Sequence, residues 1–356
     1  MVPPFVRNNV RQAAGYTPGE QPAIGQRVIK LNTNENPFPP SPKVMHAVHS
    51  FDAEALRRYP NPTADPFRHA VSTVTSLPFE MIIAGNGSDD ILSIAMRTFL
   101  GPGDLVAFPD PTYSLYPVLA DLDEVRWSTV PWEKNWGLPI EALLATQPRG
   151  IFLANPNAPT GTFVSPSRIK QLLEIFSGLV LIDEAYVDFA GENCIPLLRE
   201  HQNLIISRTL SKAYSLAGLR CGYAMAHAEV IAEMMKVKDS YNCDAIAIAA
   251  AAAAMLDQEY ARRTWQYVCA ERERVTGELT AMGFAVLPSR ANFVLATVPG
   301  GKGRAAYLAL KDKDILVRYF DKPGLQDKIR ISIGKREEND ALLAVLKTLA
   351  AAERAA

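Results

Sequence analysis

Short apolar runs alternate with longer helical segments between residues 80 and 225 of the chain. Each run is apolar on both faces and ends in polar or glycine-rich residues, which is typical of parallel strands covered by helices. The sequence therefore predicts an α/β domain with a mostly parallel central sheet, whose sites lie at the carboxyl ends of its strands. The predicted strands are Met81–Ala84, Leu105–Phe108, Ile151–Ala154, Leu179–Ile182 and Leu204–Ser207.

The pattern changes after an alanine-rich helix predicted at Ala245–Met255. A helix over Trp265–Met282 and a last helix from about Glu337 enclose several strands, which indicates a smaller α+β unit. These strands are predicted at Ala285–Val298, Ile315–Phe320 and Lys328–Ile333, with a short helix at Arg304–Lys311. The Pro- and Asn-rich N-terminus predicts an extended arm packed on this unit. We expect the arm over 1–45, a large domain over 46–240, and a linking helix with the small domain over 241–356.

Composition and charge argue against several classes of partner. The 356 residues are 48% hydrophobic and 21% charged, and a formal net charge of −1 gives no electrostatic reason to expect nucleic acid or membrane binding. The sequence has no signal-peptide core and no apolar stretch of membrane-spanning length. Four scattered cysteines fit a reducing compartment, and five histidines with one close pair predict no metal site. We therefore expect a cytoplasmic protein.

A lysine follows the last predicted strand of the large sheet. Lys212 is preceded by Thr209 and Ser211 and followed by Arg220. A lysine amine can form an imine with an aldehyde, and hydroxyls with a guanidinium can receive a phosphate. An isolated Ser-Lys pair more often marks a plain surface lysine, so the neighbouring clusters decide between these interpretations.

Acidic and aromatic side chains follow the strand at Leu179–Ile182. Asp183 lies at the strand's carboxyl end, where burial is costly without a cationic partner, and Tyr186 comes three residues later. A protonated pyridine nitrogen is such a partner and makes the ring a better electron sink. A helix-capping Asp with a packed Tyr is the alternative.

Two further loops carry candidate chemistry. The glycines of Gly85–Asp90 precede a predicted helix at Ile91–Phe99, so free amides and the Ser88 hydroxyl can seat a phosphate. Asn155–Gly161 is a turn with two prolines and amide side chains. Tyr113, between these clusters, can stack on a flat ring or belong to the core.

Taken in order, these segments resemble fold-type I pyridoxal-phosphate-dependent aminotransferases, and within them the histidinol-phosphate aminotransferase family. The resemblance covers nearly the whole chain and rests on LNTNENP, RRYPNP, GNGSDD, PDPTYSLY, NPNAPTG, DEAYVDF, RTLSKAYSLAGLRCGY, ANFVL and ILVRYFDKPGLQDKIRISIG. It implies pyridoxal 5′-phosphate as cofactor and transamination between L-histidinol phosphate and 2-oxoglutarate. It also implies a homodimer whose subunits share each active site.

The resemblance gives the cofactor site its residues. It implies that Lys212 forms the internal aldimine and shuttles the proton, that Asp183 pairs with the pyridinium nitrogen, and that Tyr186 bonds the ring oxygen. Tyr113 then stacks on the ring, and Tyr59 resembles the tyrosine that reaches the phosphate from the neighbouring subunit. The other residues it places round the cofactor, mostly at its phosphate, are Gly87, Ser88, Asp89, Thr209, Ser211 and Arg220.

The resemblance also implies a substrate site. Arg330 resembles the arginine that binds the substrate's acid group, and Arg318 a second arginine near its distal end. Tyr16 resembles a tyrosine of the N-terminal arm that closes over the substrate. Asn292 is either a further pocket residue or, as is commoner for an Asn at a strand end, a residue that makes a structural hydrogen bond. Planar guanidinium groups suit this family, because they accept both carboxylate and phosphate groups in bidentate fashion.

One position departs from the wider aminotransferase pattern. The residue before Pro-Thr-Gly is normally an Asn that bonds the ring oxygen, and here it is Ala158. Asn157 is the predicted substitute, with Tyr186 carrying more of the contact.

Alternative functions remain open from the sequence. Aromatic amino-acid aminotransferases and threonine-phosphate decarboxylases share these motifs, and Arg318, Arg330 and Tyr16 alone do not separate their substrates. A non-catalytic sensor of a transcription regulator would need a DNA-binding domain, for which no room exists before residue 31. A nicotinamide dehydrogenase would need a glycine fingerprint that is missing here.

Overall fold

Runs of aliphatic and β-branched residues form two sheets in the computed structural model. The structure describes residues 3–23 and 25–355, and for 351–355 it describes the backbone alone. The strands are β1 Ile29–Leu31, β2 Ile82–Gly85, β3 Leu105–Asp110, β4 Arg126–Pro131, β5 Gly150–Ala154, β6 Leu179–Asp183, β7 Leu204–Thr209, β8 Gly222–Ala226, β9 Ala285–Val286, β10 Phe293–Thr297, β11 Ile315–Tyr319 and β12 Lys328–Ser332.

Helices flank both sheets and connect their strands. They are α1 Asn8–Gln12, α2 Pro42–His49, α3 Ala53–Leu56, α4 Asp65–Thr75, α5 Ser88–Phe99, α6 Leu115–Leu122, α7 Ile140–Ala145, α8 Pro166–Ile175, α9 Leu210–Ala213, α10 Ala228–Val237, α11 Ala245–Leu256, α12 Gln258–Ala281, α13 Gly303–Lys311 and α14 Arg336–Ala355. Across the described part of the chain, none of them is long and apolar enough to cross a membrane.

The larger sheet has the strand order β2-β8-β7-β6-β5-β3-β4. Neighbouring strands in this sheet pair in parallel, except that β8 runs antiparallel to both of its neighbours, β2 and β7. The smaller sheet has the order β1-β11-β12-β10-β9 and is antiparallel apart from the β1–β11 pair. The fold is therefore the α/β architecture with a smaller α+β part that the sequence predicted.

The central strands of the larger sheet are buried on both faces. In β5, Ile151 and Leu153 join the core on one face, while Phe152 joins the core on the other. This alternation follows from the two-residue period of a strand, and it explains why these strands are apolar throughout. Polar side chains consequently collect where the strands end.

Several predicted elements are corrected by the structure. Met81 lies in a 3-10 turn, so that strand begins at Ile82. The stretch 285–298 is two strands, because Pro288 cannot donate a ladder hydrogen bond and the chain turns before Phe293. The sequence prediction missed β4, a mostly exposed edge strand, and β8, whose glycine and alanines have low strand propensity.

The N-terminal segment contacts both parts of the molecule. Ile29–Leu31 adds a parallel strand beside β11 of the smaller sheet. Farther towards the N-terminus, Asn9 Nδ2 donates to the Leu122 carbonyl oxygen at 2.9 Å, which places α1 against α6. The alanine-rich α11 packs on α2 and α4. The boundaries at 45 and 240 stay a prediction.

Candidate active site

A cavity of about 650 Å³ lies at the carboxyl ends of β3, β5, β6 and β7, and the N-terminal segment and the smaller sheet complete its wall. Such a volume is in the range of small-molecule sites. Most of the site residues predicted from the sequence line it, namely Tyr16, Ser88, Asp89, Tyr113, Asp183, Tyr186, Thr209, Ser211, Lys212, Arg220, Arg318 and Arg330.

Lys212 lies in α9, the short helix that directly follows β7. Its Nζ donates to the Thr33 carbonyl oxygen at 2.8 Å. Burial, followed by the positive charges of Arg330 and Arg220, lowers the pKa of Lys212 to about 8. The amine is therefore closer to its neutral, nucleophilic form at physiological pH than an exposed lysine is.

Asp183 ends β6 and is 3% exposed. The Tyr116 hydroxyl donates to one carboxylate oxygen at 3.1 Å, and the Ser207 hydroxyl donates to the other at 3.2 Å. Burial raises the pKa of Asp183 to about 6, although both hydrogen bonds oppose the shift. A buried carboxylate held in this way beside a cavity favours a cationic ligand.

The amino end of α5 forms one wall of the cavity. Gly87 precedes it with φ 86°, a conformation that favours glycine, and a Cβ there would lie 2.7 Å from the Arg220 guanidinium. Arg220 donates to the Ser211 hydroxyl at 3.3 Å and pairs with Asp89 at 3.1 Å. Gly222 allows the close approach of β8, since a Cβ there would lie 2.5 Å from the Ser88 nitrogen. Free amides, hydroxyls and a guanidinium at one helix end make an anion site.

Two tyrosines predicted to contact a ring face the same cavity. The Tyr113 hydroxyl donates to Asp89 at 3.0 Å, and its ring meets that of Tyr16 edge-on with centroids 6.0 Å apart. The Tyr186 ring packs edge-on against Phe293, and its hydroxyl oxygen accepts a hydrogen bond from Asn34. Both side chains are anchored at positions from which they can contact a flat ligand.

Arg318 and Arg330 are directly opposite each other on the β11–β12 pair, and both line the cavity. Burial, and then the charge of Arg318, lowers the pKa of Arg330. Arg330 Nε is buried and has no hydrogen-bond partner among the described residues. Because like charges opposite each other in a sheet are destabilising, this pair favours an anion between or beside the two guanidinium groups.

Four predicted site residues do not line the cavity. Gly87 packs directly against the Arg220 guanidinium. Asn157 is fully buried, and its side-chain amide donates to Thr160 Oγ1 and to the Pro111 carbonyl oxygen. Asn292 is buried and donates to the Asn34 carbonyl oxygen. Tyr59 is 81% exposed and stacks on Tyr241.

The sequence prediction gave no role to four residues that hold the site together. Tyr116 and Ser207 bind Asp183, Thr33 binds Lys212, and Asn34 binds Tyr186. Thr33 and Asn34 belong to the LNTNENP segment, which contributed to the family resemblance but did not indicate what either residue does. The sequence shows only that Ser207 ends a predicted strand, whereas its pairing with Asp183 on the adjacent strand is visible in the structure alone.

Comparison with known proteins agrees with this geometry. Residues 26–346 match the family model "Aminotransferase class I and II". Histidinol-phosphate aminotransferase 1 of Nostoc sp. is 45% identical over 345 residues, which cover 97% of this chain and 98% of that protein. The chain belongs to the histidinol-phosphate aminotransferase family.

Other members of the histidinol-phosphate aminotransferase family extend the match. The protein of Geotalea uraniireducens is 41% identical over 354 residues, 98% of this chain and 100% of its own. The crystal structure of the Sinorhizobium meliloti family member, in complex with pyridoxal-5′-phosphate, superposes with a TM-score of 0.90 at 26% identity and covers 99% of both chains. An L-threonine-O-3-phosphate decarboxylase of Porphyromonas gingivalis, 21% identical with a TM-score of 0.76, shares the fold.

Proposed function

We propose that this protein is a pyridoxal-phosphate-dependent cytoplasmic enzyme that transfers the amino group of L-histidinol phosphate to 2-oxoglutarate, giving imidazole acetol phosphate and L-glutamate. The observation that carries the proposal is the opposed pair Arg318 and Arg330 in the cavity that holds Lys212. Histidinol-phosphate aminotransferases that are 45% identical over nearly the full chain support the same reaction.

The residues that line the cavity fit pyridoxal phosphate. Ser88, Ser211 and Arg220 offer a phosphate an amide, a hydroxyl and a guanidinium at the amino end of α5. Asp183 is buried without a cationic partner among its hydrogen bonds, and a protonated pyridine nitrogen supplies one. Lys212 supplies an amine for the aldehyde carbon. When bound, the cofactor provides a conjugated ring that accepts the electron pair left by a breaking C–H bond.

Lys212 is the group that moves the proton. Its lowered pKa leaves a fraction of the amine neutral near pH 7, so Nζ can accept a proton from the substrate carbon and return it. The Thr33 carbonyl accepts a hydrogen bond from Nζ and restricts its position. Asp183 would hold the ring nitrogen of the cofactor, because its negative charge keeps that nitrogen protonated.

Arg318 and Arg330 select and orient the substrates. A guanidinium binds a phosphate or a carboxylate through paired hydrogen bonds, so one arginine pair can serve a phosphorylated amino alcohol and a dicarboxylic acid in turn. Arg330 is positioned by the Asn32 carbonyl and by the rings of Phe293 and Phe320. Arg318 is positioned by the Thr17 and Pro18 carbonyls of the N-terminal segment. Tyr16, from the same segment, also lines the cavity.

The enzyme works as a homodimer in this proposal. Tyr59 is exposed on the single chain and lies outside its own cavity, which fits a role at the partner's cofactor phosphate. Asn157 is not retained as the ring-oxygen contact, because its amide donates to Pro111 and Thr160 instead.

A comparison of amino donors tests the proposal. Purified, cofactor-loaded enzyme is assayed for glutamate formation from 2-oxoglutarate with L-histidinol phosphate, L-phenylalanine or L-threonine phosphate as donor. We expect kcat/KM for histidinol phosphate to exceed that for phenylalanine by at least about 100-fold, because phenylalanine offers the arginine pair a carboxylate in place of a more highly charged phosphate. Preference for phenylalanine, or carbon dioxide release from threonine phosphate, would overturn the substrate assignment.

A further inference from the structure

Asn34 is a buried residue with a left-handed backbone in the turn that follows β1. Its φ is 58° and it is 1% exposed. Asparagine tolerates this conformation better than other non-glycine residues, and such positions concentrate at functional sites. The neighbouring Thr33 carbonyl accepts the hydrogen bond from Lys212, so this turn contacts the reactive lysine as well.

The smaller sheet fixes the orientation of the Asn34 amide. Ser332 Oγ accepts from the Asn34 backbone nitrogen at 2.9 Å and donates to Asn34 Oδ1 at 2.9 Å. A reversed amide would leave the hydroxyl proton of Ser332, which is 2% exposed, without this acceptor. Asn292 Nδ2 donates to the Asn34 carbonyl at 2.8 Å and holds the turn from a second side. The NH₂ group of Asn34 must therefore face Tyr186.

The contact with Tyr186 determines where the phenol proton can go. Asn34 Nδ2 donates to Tyr186 Oη at 3.0 Å. A tyrosine hydroxyl has one proton and two lone pairs, and an amide NH₂ cannot accept that proton. Since Tyr186 lines the cavity, its proton is left to be donated to a ligand there.

We propose that Asn34 is a positioning residue, which donates to Tyr186 and thereby directs the phenol proton at the ring oxygen of bound pyridoxal phosphate. The inference rests on the proposed function, because it takes that cofactor as the ligand of the cavity. It also assigns a role to Asn292 and Ser332, which act through Asn34 and link the smaller sheet to the cofactor ring.

The residues at positions 157 and 158 make the contact between Asn34 and Tyr186 more important for the cofactor's ring oxygen. Ala158 lines the cavity with no polar side-chain atom, and the Asn157 amide is already bound to Pro111 and Thr160. Neither residue places a side-chain donor in the cavity, so the ring oxygen depends on Tyr186 and on the residue that orients it.

Cofactor analogues separate this role from a structural one. Full-length protein stripped of cofactor is titrated with pyridoxal phosphate and with 3-deoxypyridoxal phosphate, which lacks the ring oxygen. Asn34→Gly removes the amide and keeps a backbone that favours positive φ. Asn34→Asp replaces the donor by an acceptor that draws the phenol proton away. Asn36→Ala is the matched control, because Asn36 is in the same segment and its amide donates to Ala213 instead.

The measured quantity is the ratio of the two dissociation constants, analogue over natural cofactor. We expect Asn34→Gly to lower this ratio about tenfold, Asn34→Asp to lower it at least as much, and Asn36→Ala to leave it unchanged. In Tyr186→Phe the proton is already absent, so adding Asn34→Gly should change the ratio no further. Equal weakening of both ligands by Asn34→Gly, or a further fall in the double variant, would overturn the inference. Failure of the unsubstituted protein to bind pyridoxal phosphate would instead refute the proposed function.

Discussion

Burial and two arginines act on the same amine at Lys212. The charges of Arg330 and Arg220 and the loss of solvent all favour the neutral form, and Glu35 and Asp89 oppose them. The pKa of Lys212 consequently falls to about 8, so the neutral, reactive amine is fully formed only above that pH. An arginine assigned to substrate binding therefore also influences the reactivity of the lysine.

The lowered pKa of Lys212 sets the pH at which its amine reacts. In cofactor-free protein, the rate of covalent capture of pyridoxal phosphate should rise with pH and level off above about 8. Arg330→Gln should move the midpoint upward by about one pH unit, because a positive charge is removed. Arg318→Gln is the control, since Arg318 is not one of the main groups that shift the pKa of Lys212. Stopped-flow absorbance measures both, and equal shifts in the two variants would refute this explanation.

The sequence could assign the residues whose side chains follow predicted strands, but not the residues that orient them. Lys212, Asp183 and Arg220 stand out because charged groups at the ends of apolar strands need partners. Asn157 was a plausible substitute for the missing amide at position 158, yet its side chain donates to Pro111 and Thr160. Moving a side chain by one position along a turn changes the direction in which it points. Tertiary contacts fix that direction, and the sequence does not show them.

At the scale of elements, the buried parallel strands could be predicted because burial on both faces leaves a continuous apolar run. The antiparallel β8 could not, since the Gly-Ala-rich sequence of Gly222–Ala226 reflects its close approach to Ser88 and not strand propensity. The turn with Asn34 also escaped prediction, because its hydrogen-bond partners Ser332 and Asn292 are 298 and 258 residues away in the sequence.

An ion pair joins the ends of two neighbouring strands beneath the site. Arg208, in β7, donates through Nε and Nη2 to Glu184, which follows β6, at 2.9 and 2.7 Å. Glu184 also accepts from the Cys194 backbone nitrogen at 2.7 Å. The Glu184 side chain is fully buried, so removing its charge would take from Arg208 its hydrogen-bonded carboxylate and leave only the more distant charge of Asp188.

We therefore predict that Glu184→Gln lowers the free energy of unfolding by about 3 kcal/mol or more, because one charge of a buried pair stays unpaired. Glu200→Gln breaks the exposed pair with Lys170 and should cost less than about 1 kcal/mol. Urea unfolding of both variants measures the difference. Similar losses in the two would mean that the buried pair contributes little beyond a surface contact.

At the scale of the whole molecule, the proposed site extends over two subunits. Tyr59 projects from the segment after α3 and stacks on Tyr241 with ring centroids 4.4 Å apart, and both rings are exposed. Exposed paired aromatics of this kind are common at protein interfaces. The family resemblance places Tyr59 at the neighbouring subunit's phosphate, which the dimer proposal retains.

Subunit mixing tests the shared site. Tyr59→Ala and Lys212→Ala enzymes should each be impaired when cofactor is limiting, whereas a mixed dimer contains one complete site. Random mixing should therefore restore about a quarter of the normal sites. Mixing Lys212→Ala with Asp183→Asn should restore nothing, because both residues belong to the same subunit's site. No recovery in the first mixture would show that Tyr59 does not act across the interface.

The most direct test of the central claim is a single turnover without any keto acid. Cofactor-loaded enzyme is mixed with L-histidinol phosphate, and the cofactor and products are quantified after quenching. Stoichiometric conversion of pyridoxal phosphate to pyridoxamine phosphate with imidazole acetol phosphate as product, and none in Lys212→Ala, is the predicted result. An unchanged cofactor with histidinol phosphate, but conversion by phenylalanine, would contradict it.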